Sequence, residues 1–298
     1  MTDTTSKTVG VTELSEADGA VGKGSSGLRK LLVYGILIVF AVIYIYPFII
    51  QFVTSLKTNT DAVDNPLRLI PNPFDTAAWS RLRDTQFPRW FMNSVIVTLT
   101  VTTFRVLFAS MAGYALARLK FRGRDAVFTG LLAVMAVPGI VLLIPKFLVL
   151  NDLGIYNSYW ALILPLVVDA AGVFIMRQFF LQISISVEEA ARIDGAGPFQ
   201  TFWYIVLPMA KPALITVTIL SFQGSWNELG HYVIAVQDPD LFPLTRGVAG
   251  LTSGQLGSGS QFPITMAAGL LMTIPTAIVF VFFQRYFTQG ANVGAEKG

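Results

Sequence analysis

The chain has 298 residues, 53% hydrophobic and only 13% charged, about half the charged fraction of an ordinary soluble domain. Its 18 acidic and 21 basic residues cannot coat a soluble surface of this size, so a soluble enzyme is excluded and lipid is the second solvent. The net charge of +3 forms no basic stripe, which argues against a nucleic-acid partner, and zero cysteines with one histidine, His231, leave no disulfide framework and no thiolate or multi-histidine metal site.

In chain order, residues 1–27 are rich in Ser, Thr, Gly, Asp and Glu and are expected to be a disordered tail, since ordering them buries almost nothing. They are not read as a secretory signal, because the apolar block that starts near Leu31 is too long for an h-region. Gly22-Lys23-Gly24-Ser25 is a fragment of a phosphate loop at best, with Ala17 at the position of the first required glycine.

About 20 apolar residues cross a bilayer core as a helix. Six blocks meet or approach that length, near 31–53, 91–117, 126–149, 158–179, 212–235 and 264–287. The expected fold is therefore all-α and integral to the membrane, with six transmembrane helices in one domain over residues 28–298. Pro138, Pro145 and Pro275 lie inside blocks and predict kinks where neighbouring helices satisfy the freed carbonyls.

Short basic loops mark the cytoplasmic side. Arg118, Lys120, Arg122 and Arg124 follow the second block, and Lys23, Arg29 and Lys30 precede the first. Connections on the other side carry Asp152 alone, or Asp238 and Asp240 with one cation, Arg246. The loop between Thr54 and Trp90 holds five basic and four acidic residues and decides nothing. Both termini are expected in the cytoplasm.

Ionisable groups at membrane depth cost about 2.5–3.5 kcal/mol and call for a partner or an aqueous lining. Arg105 lies 14 positions after Phe91, and Asp169 lies 12 after Asn157, a depth difference of about 3 Å. A buried Arg105–Asp169 ion pair is one expectation. The alternatives are that Arg105 snorkels or faces a partner and that Asp169 borders a solute cavity. Trp226, Asn227 and Glu228 in the fifth block are candidates for a solute path, where planar hydrogen-bonding groups meet sugar hydroxyls; interhelical hydrogen bonds are the alternative. His231 is read as a hydrogen-bonding core residue, and Trp90, Tyr156, Trp160 and Tyr286 as interfacial anchors.

Between the fourth and fifth blocks lies a polar stretch, about 184–208. Ser186 and Glu189 stand at capping-box spacing, and Gly195 is a natural C′ residue, which predicts a helix of about two turns. So short a helix needs a packing partner. It suits either a groove in another protein or the lipid headgroup surface, and the residues alone leave both open.

Glu189-Ala190-Ala191, three residues, Gly195, nine residues, Ile205, one residue and Leu207-Pro208 match the EAA-loop signature of ABC importer permeases. From about Leu28 onward the chain resembles the maltose-type carbohydrate-uptake branch of that family, through Ser55-Leu56-Lys57, Asn93-Ser94, Ala115-Leu116-Ala117-Arg118, Ser225-Trp226-Asn227 and Gln284-Arg285-Tyr286-Phe287, with Lys297-Gly298 at the end. The resemblance implies a type I importer permease fold with a cytoplasmic coupling helix, in the plasma (inner) membrane. It implies a homologous second permease, two ATPase subunits that bind ATP and Mg, and an extracytoplasmic solute-binding protein. No cofactor or metal is implied in this chain. Glu189, Ala190, Ala191 and Gly195 would dock on the ATPase subunit, with Glu188, Arg192 and Asp194 as edge contacts and no catalytic residue. The run Gly290–Gly298 resembles a tail that reaches between the ATPase subunits. Import of glycerol phosphates or another polar solute is the alternative substrate reading. A stand-alone secondary carrier would need internal repeats and a membrane enzyme a catalytic cluster, and neither is visible in the sequence.

Overall fold

The computed structural model describes residues 25–252 and 261–295, and the described residues fold into helices. Of the expected tail, 1–27, residues 1–24, with Gly22, Lys23 and Gly24 of the phosphate-loop fragment, lie outside the described residues, whereas Ser25–Gly27 form the first turn of a helix rather than a disordered end. Glu296 to Gly298 and the side chains of Arg285, Tyr286 and Phe287 also lie outside the described residues.

In chain order the helices are α1 (Ser25–Thr54), α2 (Asn59–Asp64), α3 (Ala77–Asp84), α4 (Phe87–Arg118), α5 (Arg124–Met135), α6 (Leu143–Asp152), α7 (Tyr159–Ile163), α8 (Ala170–Gln182), α9 (Ile185–Ile193), α10 (Pro198–Gln200), α11 (Leu207–Met209), α12 (Lys211–Trp226), α13 (Gly230–Ala235), α14 (Leu244–Thr252) and α15 (Phe262–Ala295). The chain divides into two units, up to Ile50 and from Gln51 on. The described part of the first, from Ser25, is one apolar helix, whose large side chains from Leu31 to Ile49 are exposed, as suits a surface in lipid.

By length and apolarity four segments can each cross a membrane: Arg29–Thr54, Phe87–Arg118, Tyr159–Gln182 and Phe262–Gln284. Two bent pairs bring the number to as many as six. The predicted third block is one of these pairs, Arg124–Met135 and Gly139–Asp152, bent by 97°. Pro138 is the cause, because it has no amide hydrogen to continue the helix and its ring disfavours the helical conformation before it. The fifth block is also shorter than predicted: α12 stops at Trp226 and the chain re-enters a helix only at Gly230.

In the second unit α4 is the axis. Its 32 residues reach about 48 Å, and it packs most extensively on α8 and α12. Small side chains allow the closest approach. Ala109, Gly113 and Ala117 recur every fourth residue and are all buried, the spacing that lets membrane helices approach through their backbones. A Cβ on Gly113 would lie 2.7 Å from Met176 Cβ and 2.9 Å from Arg177 N, closer than any side chain tolerates.

Two apolar clusters form, one near each end of α4. One gathers Trp90, Val97, Trp226, Tyr232 and Leu244, and the other Tyr114, Phe180, Phe202 and Val217. Around the first, polar side chains fasten loops. Asn93 Nδ2 donates to the carbonyls of Asp240 and Phe242 at 2.9 and 3.0 Å, and its Oδ1 accepts from Tyr159 at 2.6 Å. Lys57, 1% exposed, donates from Nζ to the Asn65 carbonyl at 2.7 Å and so holds the loop after α1. Trp90, expected at an interface, is buried there against Gly247.

Candidate functional site

Helix α9 is built by its caps. Ile183 leaves α8 in an extended conformation, and Ser184, also extended, accepts the Ser186 amide on its hydroxyl at 3.4 Å. The N-cap is thus Ser184, two residues before the predicted one. Ser186 is the second helical residue and Glu189 is exposed, so the expected capping box between them is not formed. The reason is the length of the turn after α8, which makes Ser184 the first hydroxyl able to reach a forward amide. At the other end Gly195 has φ +86°, its amide donates to Arg192 O at 3.0 Å, and the Ala196 amide donates to Ala191 O at 2.9 Å. This is a Schellman closure, and glycine is the residue that adopts the left-handed conformation without cost.

The two faces of α9 differ in kind. Glu188 and Ala191 are 3% and 4% exposed, while Glu189, Ala190, Arg192, Asp194 and Gly195 are exposed and Ile193 is 87% exposed. Among the residues that the EAA resemblance assigns to docking, Glu188 and Ala191 turn inward against this chain, so neither is a surface contact. For Glu188 the reason is a buried partner: Arg118 Nε lies 2.8 Å from its Oε1, an ion pair without hydrogen-bond alignment, and the Tyr114 hydroxyl donates to its Oε2 at 3.3 Å. Next to α9, Phe199 and Tyr204 are 67% and 79% exposed, and an apolar cleft opens between Leu119, Phe199 and Phe202. The outer side of α9 thus presents small, charged and apolar side chains together.

The polar residues inside the apolar segments gather at two breaks. Between α7 and α8 the chain passes through a 3-10 turn, Leu164–Leu166, and restarts at Asp169, whose Oδ2 caps α8 by accepting the Gly172 amide at 2.8 Å. Arg105 Nε donates to the Leu166 carbonyl, one of those freed by the break. The expected Arg105–Asp169 ion pair is not formed among the described residues: Asp169 is turned to its helix, and Arg105 to the carbonyl. The second break follows Trp226. There Glu228 Oε1 accepts the His231 amide at 2.9 Å and Asn227 is exposed. Gly224, also exposed, admits the Arg105 guanidinium, for a Cβ on it would lie 3.3 Å from Arg105 Nη1.

Trp226 does not face a path. It is 2% exposed, donates from its indole to the Met272 carbonyl at 3.1 Å and stacks on Phe222 at 5.7 Å, because its large ring is worth more in the core than at a wet surface. His231 is the core residue expected, with Nε2 2.9 Å from the Ala161 carbonyl. Lys57 and Arg118, which fasten loop and helix, were missed as individual residues. The signal for Lys57 is a lone cation just after an apolar block, whereas Arg118 is hidden as the first member of a basic run.

Comparison with known proteins gives three findings. Residues 105–293 match the family model described as binding-protein-dependent transport system inner membrane component. An arabinooligosaccharide transport system permease protein from Halalkalibacterium halodurans is 33% identical over 93% of this chain and 99% of its own length, and a polygalacturonan/rhamnogalacturonan transport system permease protein from Bacillus subtilis is 34% identical over 91% and 99%. Among solved structures, a bacterial ABC transporter involved in the import of the acidic polysaccharide alginate has a chain that superposes with a TM-score of 0.76 at 26% identity, covering 89% of this chain and 99% of its own.

Proposed function

We propose, from the premise that this chain belongs to the family of binding-protein-dependent transport system inner membrane components, that it is a multi-pass permease subunit of an ATP-binding-cassette importer for a carbohydrate. It forms half of the translocation pathway beside a homologous second permease. A solute-binding protein delivers the cargo on one side, and two ATPase subunits, which hold ATP and Mg, dock on the other. That docking end carries the basic loop of Lys120 and Arg122, and both termini belong to the same, cytoplasmic side.

The observation that carries this reading is the outward face of α9, where Glu189, Ala190, Arg192 and Ile193 are exposed beside a glycine closure with nothing within 4 Å of a Cβ placed on Gly195. A partner can approach the backbone there. In the pathway, Arg105, Asp169, Asn227 and Glu228 are the solute-facing groups. Asp169, Asn227 and Glu228 stand at helix breaks, and Arg105 reaches the first of these breaks from the middle of α4; transporters place their sites where irregular backbone at membrane depth lines a cavity.

The test is Gly195→Val. A β-branched residue at φ +86° costs about 1–3 kcal/mol and pushes bulk into the approach surface. Membrane insertion is expected to persist while ATP hydrolysis stimulated by loaded binding protein falls to the basal rate. Stimulation equal to that of the unmodified complex would overturn the docking role.

A further inference from the structure

The inward face of α9 is joined to the membrane helices by one buried cluster. Arg118, at the last position of α4, has its side chain 8% exposed, and Glu188 opposite it 4%. The same guanidinium donates from Nη2 to the Phe180 carbonyl at 2.6 Å and to the Ile183 carbonyl, in the last turn of α8 and the residue after it. One cation thus binds three elements: its own α4, the negative end of α8 and the carboxylate of α9. Tyr114, one turn earlier, holds the second carboxylate oxygen, and its ring packs on Phe180 and Phe202 with centroids 5.8 and 5.1 Å apart. Phe202 lies in the π-helical turn that follows α10. Every element leading into or out of α9 is therefore tied to this cluster.

A surface helix fixed only by lipid or by loose packing would slip when pushed. A desolvated ion pair does not slip, because separating its members strands a charge in a low-dielectric interior, and here each member is also held by hydrogen bonds to other groups, Arg118 to two carbonyls and Glu188 to Tyr114. The next residue along, Glu189, points outward and is free for a partner. The adjacent glutamates divide two tasks, one gripping the membrane helices and one facing the docking side.

We propose that Glu188 and Arg118, backed by Tyr114, are positioning residues that make α9 and the ends of α4 and α8 one rigid body, so that displacement of α9 is converted into displacement of the membrane helices. This rests on the permease reading above and adds to it the element by which force crosses from the docking helix to the pathway.

The experiment uses the full complex of both permeases, ATPase subunits and binding protein in proteoliposomes. Glu188→Gln keeps size and one hydrogen-bonding oxygen but removes the charge. It is expected to assemble and hydrolyse ATP while solute moved per ATP falls about tenfold; Tyr114→Phe, which keeps the ring and the ion pair, is expected to fall less. A merely structural role would lower assembly and hydrolysis together and leave the solute-to-ATP ratio unchanged. A second measurement does not depend on that variant folding. The chain has no cysteine, so spin labels at Ile185→Cys and Lys120→Cys, both exposed, report the distance between α9 and the end of α4. That distance is expected to stay constant between nucleotide-free and nucleotide-trapped complexes; a change approaching one helical turn, about 5 Å, overturns the proposal. A wild-type complex without ATP-driven uptake overturns the permease reading and the joint with it. Wild-type uptake with Glu188→Gln equally coupled overturns the joint alone.

Discussion

Arg105 carries a charge into the middle of a 32-residue apolar helix, where insertion alone costs about 2.5–3.5 kcal/mol. Its Nε satisfies the Leu166 carbonyl, and its Nη1 lies beside the open backbone of Gly224. Arg105→Ala is expected to cut ATP-driven uptake about tenfold while the complex still co-purifies, and Arg105→Lys to recover part of it, since lysine keeps the charge but not the fork. Uptake equal to wild type in Arg105→Ala would remove it from the solute path. That an ionisable residue at this depth matters was legible from position 105 alone. Its partner was not, because the carbonyl it meets is freed by a helix break 61 residues away, and side-chain charge patterns carry no record of broken backbone. For the same reason Asp169 reads as a counter-ion in the sequence but serves as a cap in the fold.

The helices show a similar division. Apolar length announces α1, α4 and α15, since length and hydropathy are local. Proline marks the break after Met135, yet the size of the bend, 97°, is not written in a single residue type. For α9 the glycine closure is written in the sequence, whereas the start at Ser184 depended on how α8 ends, and which of Glu188 and Glu189 turns inward depended on where Arg118 stands. The contact of α4 with α8 leads to a prediction of its own. Gly113→Leu forces side-chain atoms into the Met176 backbone, an overpacking that costs about 1–3 kcal/mol or more. Thermal unfolding in detergent is expected to shift down and expression to fall. An unchanged melting profile would mean that α4 and α8 can separate without loss.

At the scale of the whole molecule, the orientation proposed from the basic loops is open to direct labelling. The chain has no cysteine, so Lys120→Cys and Gln237→Cys, both at exposed positions, give single reporters. A membrane-impermeant maleimide is expected to label position 237 in intact cells and position 120 only after the membrane is opened; the reverse pattern would invert the topology. Membership of the transport family was readable from a single loop, because the resemblance there lies in a fixed spacing of glutamate, small residues and glycine, which is a pattern along the chain. The apolar blocks likewise determined that the chain belongs in lipid, since the bilayer sets their length independently of how they pack. The tertiary structure decided which faces meet. It turned Trp226 into the core, set Arg105 and Asp169 on separate tasks at a broken helix, and closed Arg118 on Glu188 across 70 residues of chain, because ion pairing and close packing depend on distances in space that spacing along a sequence does not contain.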